Sequence, residues 1–184
     1  KRRDTEIFAL VRPESAGKLS RWEKKVTPLE GDVTRKGLGL SAADRRRVAG
    51  AEVFHLAAVY DLEASEEANQ AADVDGTRNV VALAHAIQAK RIHHVSSIAV
   101  AGRSFKGEFT EDTFEAGQEL DQPYYRTKYE AERLVREEAK VPLRGYRPAP
   151  VIGSIEHGSA HPSDRPSYPS NIPPPPPDPP PPAA

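Results

Sequence analysis

Four features that this 184-residue sequence lacks narrow the classes to which it can belong. It has no cysteine, which excludes disulfide frameworks and zinc sites built from thiolates. It has no methionine, and since a natural reading frame starts with one, we expect a processed chain or a fragment. The first apolar run, residues 7–11, is too short for a signal-peptide core or a membrane span. No charge excess suggests nucleic acid or an anionic membrane as partner, because 26 basic side chains balance 27 acidic ones. We therefore expect a soluble, cytoplasmic protein.

Proline is plentiful but unevenly distributed. Of 18 prolines, 12 lie at or after position 162, and the chain closes with PPPPPDPPPPAA. Proline lacks a backbone N–H and has a fixed φ, so this run favours extended polyproline II over helix or sheet. It is either a ligand for a proline-binding domain or, as we favour, a spacer unrelated to the fold. The predicted organisation is a globular domain over residues 1–158 and a disordered tail over 159–184.

The remainder of the sequence alternates short apolar runs with helical patterns. The predicted strands cover residues 6–11, 53–59, 92–100 and 143–147. Helices are predicted over 41–49, with Ser41 as N-cap, within 63–89, and over 123–139, with Pro123 at the first position. This alternation is typical of a parallel sheet that helices cover on both sides.

The third predicted helix contains YYRTKYEAE, residues 124–132. Positions four apart lie on one helix face, so Tyr124 and Lys128 present together. An ammonium near a phenol favours the phenolate and lowers the phenol pKa from about 10, which suits proton transfer to a carbonyl oxygen. Spacing alone leaves two alternatives open: Tyr125 is three residues before Lys128, and Tyr129 has Arg133 four residues on.

A second block, HHVSSIAVAG at residues 93–102, supports a catalytic role for this helix. It reads as a buried strand that ends in two serines and a glycine turn. In parallel sheets ligands gather beyond the carboxyl ends of the strands. A serine there can hydrogen-bond a substrate oxygen while a tyrosine protonates it, and the order Ser, Tyr, Lys is more specific than any member alone.

Several blocks together resemble the extended short-chain dehydrogenases/reductases. They are VFHLAA (53–58), DVDGTRNV (73–80), HHVSSIAVAG (93–102), PYYRTKYEAE (123–132) and YRPAPVIG (146–153). The sequence is most similar to bacterial fatty acyl-CoA and fatty aldehyde reductases, which are thioester-reductase-like proteins with a male-sterility-type NAD(P)-binding domain. The details that carry this are EIFALVRPES (6–15), LEGDV (29–33), FHLAAVYDLEASEE (54–67) and GEFTEDTFEAGQELDQPYYRTKYEAERLVREE (107–138).

The resemblance implies an α/β fold with a Rossmann-like doubly wound parallel sheet and an NADPH-dependent reduction of a fatty acyl thioester or aldehyde carbonyl. Tyr124 would be the proton donor, Lys128 its tuning partner and a ligand of the nicotinamide ribose, and Ser97 the catalytic hydroxyl. The other implied cofactor contacts are Ser96 beside Ser97, Asp32 and Val33 at the adenine, Leu56, Ala57 and Ala58 in the dinucleotide groove, and Pro148 and Val151 near the nicotinamide.

Arg12 bears on the choice of cofactor. It follows the run that resembles the family's second strand, where an acid pairs with the ribose of NAD and an arginine accommodates the 2′-phosphate of NADP. Because LVRP has no acid there, we expect NADP rather than NAD.

The sequence also departs from the family pattern. No strand and glycine-rich turn precede residue 6, so we expect an incomplete sheet and a chain truncated at both ends. GLGLSA (37–42) fits G-x-G-x-x-A but follows no predicted strand, so we interpret its glycines as loop residues. Asp73 stands where the family generally has asparagine, and an ionised carboxylate cannot donate the hydrogen bonds of an amide.

Two other functions are alternatives to the reductase. A nucleotide-sugar epimerase or dehydratase shares the Ser-Tyr-Lys set, although residues 60–67 and 109–114 favour the acyl reductases. A non-catalytic remnant or NADP-sensing interaction module is the alternative outside catalysis. No metal site is expected, because His93 and His94 point to opposite strand faces and His157 and His161 lack a carboxylate cluster. A homodimer is left open, and no partner is expected for the tail.

Overall fold

Five short strands and three α-helices alternate along the chain in the computed structural model, which describes residues 5–22, 24–57, 67, 70–103 and 105–149. The strands are β1 (Phe8–Val11), β2 (Thr27–Glu30), β3 (Glu52–His55), β4 (Arg91–Val95) and β5 (Leu143–Tyr146). The α-helices are α1 (Ala42–Arg47), α2 (Gly76–Ala86) and α3 (Pro123–Glu138). Short 3₁₀ helices cover Pro13–Trp22, Lys36–Gly39 and Ile98–Ala101, and a π-helix covers Gln70–Asp75. The predicted domain boundary at residue 158 and the proline-rich tail lie outside the described residues.

Every strand pair is parallel, which confirms the predicted α/β, Rossmann-like class. Phe8 of β1 lies opposite Thr27 of β2. In the other sheet β4 lies between β3 and β5, with Glu52 opposite Arg91 and Ile92 opposite Leu143. The sheet is partial: in the described part of the chain β1–β2 and β3–β4–β5 are separate.

Both sheets contribute to one hydrophobic core. Its buried members are Leu29, Leu38, Leu40, Val48, Val74, Val80, Val81, Leu83, Ala84, Ile87, Ala89, Ile92, Leu134 and Val135. Phe8 and Leu10 of β1 and Val53 of β3 pack against this cluster. Residues of α2 and α3 supply six of these fourteen side chains, so these helices are fixed against the sheet by apolar burial.

Two of the predicted helices form as expected. Ser41 caps α1, since its hydroxyl accepts a hydrogen bond from the Asp44 N–H at 3.0 Å. Helix α3 begins at Pro123, whose fixed φ suits the first helical position. The helical pattern over 63–89 forms a π-helix followed by α2 over Gln70–Ala86, and most of residues 63–69 lie outside the description.

The strand predictions need correction in three places. The predicted strand 53–59 ends at His55, and Leu56 and Ala57 lie beyond it. The predicted strand 92–100 ends at Val95, because Ser97 instead caps a 3₁₀ turn over Ile98–Ala101. Strand β2 was not predicted, since its four residues include Pro28 and only Leu29 is fully buried. A four-residue strand with one buried side chain has too little alternation to be recognised from its sequence.

The GLGLSA segment is a turn, as predicted. Gly37, Leu38 and Gly39 have φ values of 62°, 56° and 70°, and the chain then enters the Ser41 cap. Gly31 allows this turn to come close, because a Cβ on it would lie 2.3 Å from the Leu38 carbonyl oxygen.

Candidate active site

Tyr124 and Lys128 lie together on the buried side of α3. Each residue is 7% exposed. The Lys128 Nζ lies 5.6 Å from the centroid of the Tyr124 ring, as the i, i+4 spacing predicts. Tyr125 is also buried and meets the Tyr124 ring edge-on, with 6.1 Å between ring centroids.

Tyr129 points elsewhere and is less suited to proton transfer at neutral pH. Its ring stacks on Phe114, with 4.5 Å between the ring centroids. Burial and the nearby Glu115 raise the pKa of Tyr129, and the opposing effect of Arg133 is smaller. The structure therefore separates Tyr129 from the Tyr124–Lys128 pair.

The Ser97 turn packs against the same tyrosines. The Ser97 hydroxyl accepts a hydrogen bond from the Ala99 N–H at 3.1 Å, and Ala99 packs on Tyr124 and Tyr125. The Ile98 N–H donates to the Pro148 carbonyl at 3.2 Å, so Pro148 lies beside this turn at the carboxyl ends of β4 and β5. The structure thus brings Ser97, Tyr124 and Pro148 into one region.

Gly102 lets the loop that precedes α3 approach the turn. Its φ of 70° and ψ of −173° belong to a region open essentially to glycine alone. A Cβ there would lie 2.3 Å from the Glu119 carbonyl oxygen. The glycine that the sequence places after the serines is therefore required by the backbone.

Asp73 reaches this site from the π-helix. It is 1% exposed, and its Oδ2 lies 3.3 Å from the Lys128 Nζ and 3.3 Å from the Thr127 hydroxyl, which donates to it. Burial lowers the pKa of Lys128, and Asp73 opposes that effect. Asp73 therefore supports the site through an ion pair. From the sequence we inferred only that an aspartate lacks the hydrogen-bond donors of an amide.

Two histidines form the polar lining behind Lys128. His55 shares a hydrogen bond of 2.8 Å between its Nε2 and the Thr77 hydroxyl. Burial, with a smaller effect of His94, lowers the pKa of His55 to about 3. Burial also lowers the pKa of His94 to about 4, and neither of its ring nitrogens has a hydrogen-bond partner among the described residues. Both imidazoles are neutral at physiological pH.

His93 faces the other side of the sheet, as strand alternation predicts. Its ring stacks on Phe54 with 4.1 Å between centroids, and its Nδ1 lies 2.8 Å from the Tyr146 hydroxyl. In the described ranges, no three His, Asp or Glu side chains are grouped as metal ligands.

Glu132 and Arg147 form a buried pair that sequence reasoning missed. The Arg147 guanidinium donates to both carboxylate oxygens of Glu132, at 2.7 to 3.2 Å, and Arg136 donates to the same carboxylate at 2.9 Å. Arg147 also donates to the carbonyls of Thr110 and Thr113 at 3.0 and 2.8 Å. It thereby ties α3 to the loop before it and to the end of β5.

The pKa of Glu132 reflects these contacts. Burial disfavours its charge, but hydrogen bonds from Arg147 and Arg136 outweigh burial and lower its pKa below the ordinary value. Ser96 also lowers it, although the Ser96 hydroxyl makes no hydrogen bond of good geometry within the described residues. Ser96 therefore faces Glu132 rather than the Ser97 turn.

Arg12 and Asp32 border a separate cleft of about 360 Å³, which Arg35 also lines. Arg12 pairs with Glu14 at 3.2 Å, and both side chains are exposed. Hydrogen bonds from the Thr34 N–H and hydroxyl, both 2.8 Å long, lower the pKa of Asp32 and are reinforced by Arg12 and Arg35. The cleft lies at the carboxyl ends of β1 and β2.

Of the other residues predicted to contact the cofactor, the structure describes Val33, Leu56 and Ala57. Val33 packs on Gly76, and its carbonyl accepts a hydrogen bond of 2.8 Å from Asn79, so it holds the start of α2. Leu56, 69% exposed, and Ala57 follow β3 at its carboxyl end. Ala58 and Val151 lie outside the described residues.

A parallel sheet with Tyr124 and Lys128 adjacent at its carboxyl edge is typical of the extended short-chain dehydrogenases/reductases. A family model described as "Male sterility protein", an NAD-binding family, matches residues 2–169. The chain belongs to that family, whose relatives are NAD(P)-dependent reductases, and the resemblance to extended short-chain dehydrogenases/reductases with a male-sterility-type NAD(P)-binding domain is confirmed.

Three similar proteins extend this result. A nonribosomal peptide synthetase of Aspergillus hancockii is 30% identical over 152 residues, which are 76% of this chain and 15% of that protein. An aldehyde reductase of Aspergillus flavus is 27% identical over 163 residues, 80% of this chain and 16% of that protein. The solved terminal R domain of the myxalamid PKS-NRPS biosynthetic pathway has a TM-score of 0.72 and 29% identity, covering 83% of this chain and 44% of that one. The chain thus spans under half the length of these relatives.

None of the helices described is long and apolar enough to cross a membrane.

Proposed function

We propose that this chain is the NADPH-binding part of a reductase that converts an acyl thioester or an aldehyde. The observation that carries the proposal is the buried Tyr124–Lys128 pair, with the Ser97 turn packed against it, in a member of an NAD-binding family. Similarity to an aldehyde reductase and to an R domain supports a carbonyl substrate.

The residues present have the chemistry that the reaction needs. The bound nicotinamide would supply a hydride to the carbonyl carbon. Tyr124 would donate its phenolic proton to the carbonyl oxygen, and the Ser97 hydroxyl would orient that oxygen. The Lys128 ammonium would stabilise the phenolate that remains on Tyr124. An aldehyde would yield an alcohol, and a thioester would yield a hemithioacetal that releases thiol and aldehyde.

The cleft beside Arg12 fits the adenosine end of the cofactor. About 360 Å³ lies within the range of small-molecule sites. Arg12 and Arg35 in its lining suit a phosphate, and the exposed Arg12–Glu14 pair is weak enough to exchange for one. Four carboxylates line the same cleft, those of Glu14, Glu30, Asp32 and Asp44. Arg12 would therefore bind the 2′-phosphate of NADPH, and Asp32 and Val33 would border the adenine.

The catalytic proposal is tested by the oxidation of NADPH with long-chain acyl-CoA or aldehyde as substrate. We expect Tyr124→Phe to lower turnover by about 100-fold or more, because the proton donor is lost. Tyr129→Phe is the matched control, since Tyr129 stacks on Phe114 away from Lys128, and it should stay within a few-fold of wild type. Wild-type turnover in Tyr124→Phe would refute the mechanism. Turnover of UDP- or dTDP-sugars in place of the carbonyls would favour an epimerase.

The cofactor proposal is tested by titrating the chain with NADPH and with NADH. We expect Arg12→Ala to weaken NADPH binding by about 10-fold or more and to leave NADH binding unchanged, because only NADPH carries the phosphate. Arg78→Ala, which removes an exposed arginine paired with Asp75, should change neither. Equal binding of the two nucleotides by wild type would overturn the NADP preference, and saturable binding without turnover would favour an NADP-sensing module.

A further inference from the structure

The contact between Asp73 and Lys128 joins two buried charges. Asp73 Oδ2 lies 3.3 Å from Lys128 Nζ, and their side chains are 0% and 9% exposed. At this distance and burial, water screens the interaction far less than it screens a surface pair. Thr127 donates to the same Oδ2, which fixes the direction of the carboxylate.

The backbone around Asp73 is fixed independently of that contact. Asp73 belongs to the π-helix Gln70–Asp75, a form found often at functional sites. Its carbonyl accepts a hydrogen bond from the Thr77 hydroxyl, and that hydroxyl also meets His55 Nε2 at 2.8 Å. The carboxylate therefore meets Lys128 without depending on a flexible segment.

We propose that Asp73 is a positioning residue that holds the Lys128 ammonium beside Tyr124 and sets the charge under which the Tyr124–Lys128 pair titrates. The proposal rests on the reductase function proposed above. With an uncharged side chain at this position, no negative charge would balance the Lys128 ammonium. The Asp73 carboxylate balances it and makes the local charge neutral.

The other groups around Lys128 do not replace Asp73. His55 on β3 and His94 on β4 are neutral at physiological pH, because burial keeps the pKa of each far below 7. Glu132 on α3 is engaged by Arg147 and Arg136. Asp73 is the carboxylate in ion-pair contact with Lys128 within the described residues.

Removing this carboxylate changes the intrinsic pKa values of Tyr124 and Lys128 in one direction. A negative charge favours the protonated form of every neighbouring group, so its loss lowers the pKa of both members of the pair. The two members titrate as a coupled system, and the first macroscopic pKa must therefore fall. A carboxylate at this distance typically shifts a neighbour by about one to three pH units.

The first test is an ultraviolet titration of the phenolate in wild type and in Asp73→Asn. The transition of Tyr124 is the part of the curve that disappears when Tyr124→Phe is introduced into each background. We expect Asp73→Asn to displace that transition by about one pH unit or more, to lower pH where Lys128 stays protonated and to higher pH where Lys128 loses its proton first. Asp75→Asn is the matched control, because Asp75 lies in the same π-helix but is exposed and paired with Arg78. A transition in Asp73→Asn that coincides with wild type would overturn the proposal.

The second test separates this inference from the function on which it rests. In a double-mutant cycle of urea unfolding with Asp73→Asn and Lys128→Met, we expect the double variant to be less destabilised than the sum of the single variants. Additive effects would overturn the pairing. The titration and the cycle need no turnover, so both can support the pair even if the reductase assay fails. In an active chain, the alkaline limb of the pH–rate profile should shift with the phenolate transition, and an unmoved limb would refute the positioning role.

Discussion

Replacing Glu132 with glutamine would remove the charge that Arg147 requires. Glu132 is 3% exposed and accepts three hydrogen bonds from Arg147 and one from Arg136. Breaking a buried ion pair by deleting one partner costs about 3–5 kcal/mol. Because glutamine keeps one acceptor oxygen, we expect Glu132→Gln to lower the free energy of unfolding by about 3 kcal/mol at neutral pH.

The loss should depend on pH in a definite direction. The contacts lower the pKa of Glu132 in the folded state below its ordinary value of 4.5. Its stabilising contribution is therefore complete above that pH and is lost as the pH falls through the folded pKa. Wild type should thus approach the variant in stability under acid conditions.

Urea unfolding at about pH 7 and at about pH 3 or below measures both effects. Glu137→Gln is the matched control, because Glu137 is an exposed residue of the same helix and should change stability by less than about 0.5 kcal/mol. A Glu132→Gln variant as stable as wild type at neutral pH would refute the reasoning. A difference that did not shrink in acid would refute the part that depends on ionisation.

Three further predictions concern stability. Wild type should lose stability in urea unfolding as the pH falls from 6.5 toward 4, because His55 and His94 are buried neutral with pKa values of about 3 and about 4, and His94→Phe should lose about 3 kcal/mol less than wild type over that range. Gly102→Ala should cost about 2 kcal/mol or more in thermal unfolding, since its Cβ would meet the Glu119 carbonyl, whereas Gly17→Ala meets no atom within 4 Å and should be nearly neutral. Ser41→Ala should cost about 1 kcal/mol through the lost cap of α1.

Local patterns predicted the elements of the site well. Pro123 and the four-residue spacing fixed both the start of α3 and the adjacency of Tyr124 and Lys128, because helix geometry depends on chain positions alone. The serine–glycine block likewise indicated a turn after β4. Its strand was predicted too long, since a cap formed by Ser97 is not distinguishable from an extended serine in the sequence.

Long-range polar pairing was not predictable in the same way. Glu132 and Arg147 are 15 positions apart and belong to different elements. Their contact depends on how α3 packs beside β5. Asp73 was recognised only as a departure from a family pattern, since its contact with Lys128 needs the packed helices. The sequence did contain one signal for the Glu132–Arg147 pair. Glu132 lies one turn after Lys128, on the apolar side of the predicted helix.

The parallel strands also constrain how this chain can fold during synthesis. Phe8 pairs with Thr27, whereas β3 pairs with β4 across about 40 residues and β4 with β5 across about 50. Closing a longer loop costs more entropy, so the β1–β2 pair should form first. A nascent chain can complete the β3–β4–β5 sheet only after Tyr146 has left the ribosome. Until then β4 has one free edge that a chaperone could cover, and the Ser97 turn cannot yet hydrogen-bond to Pro148.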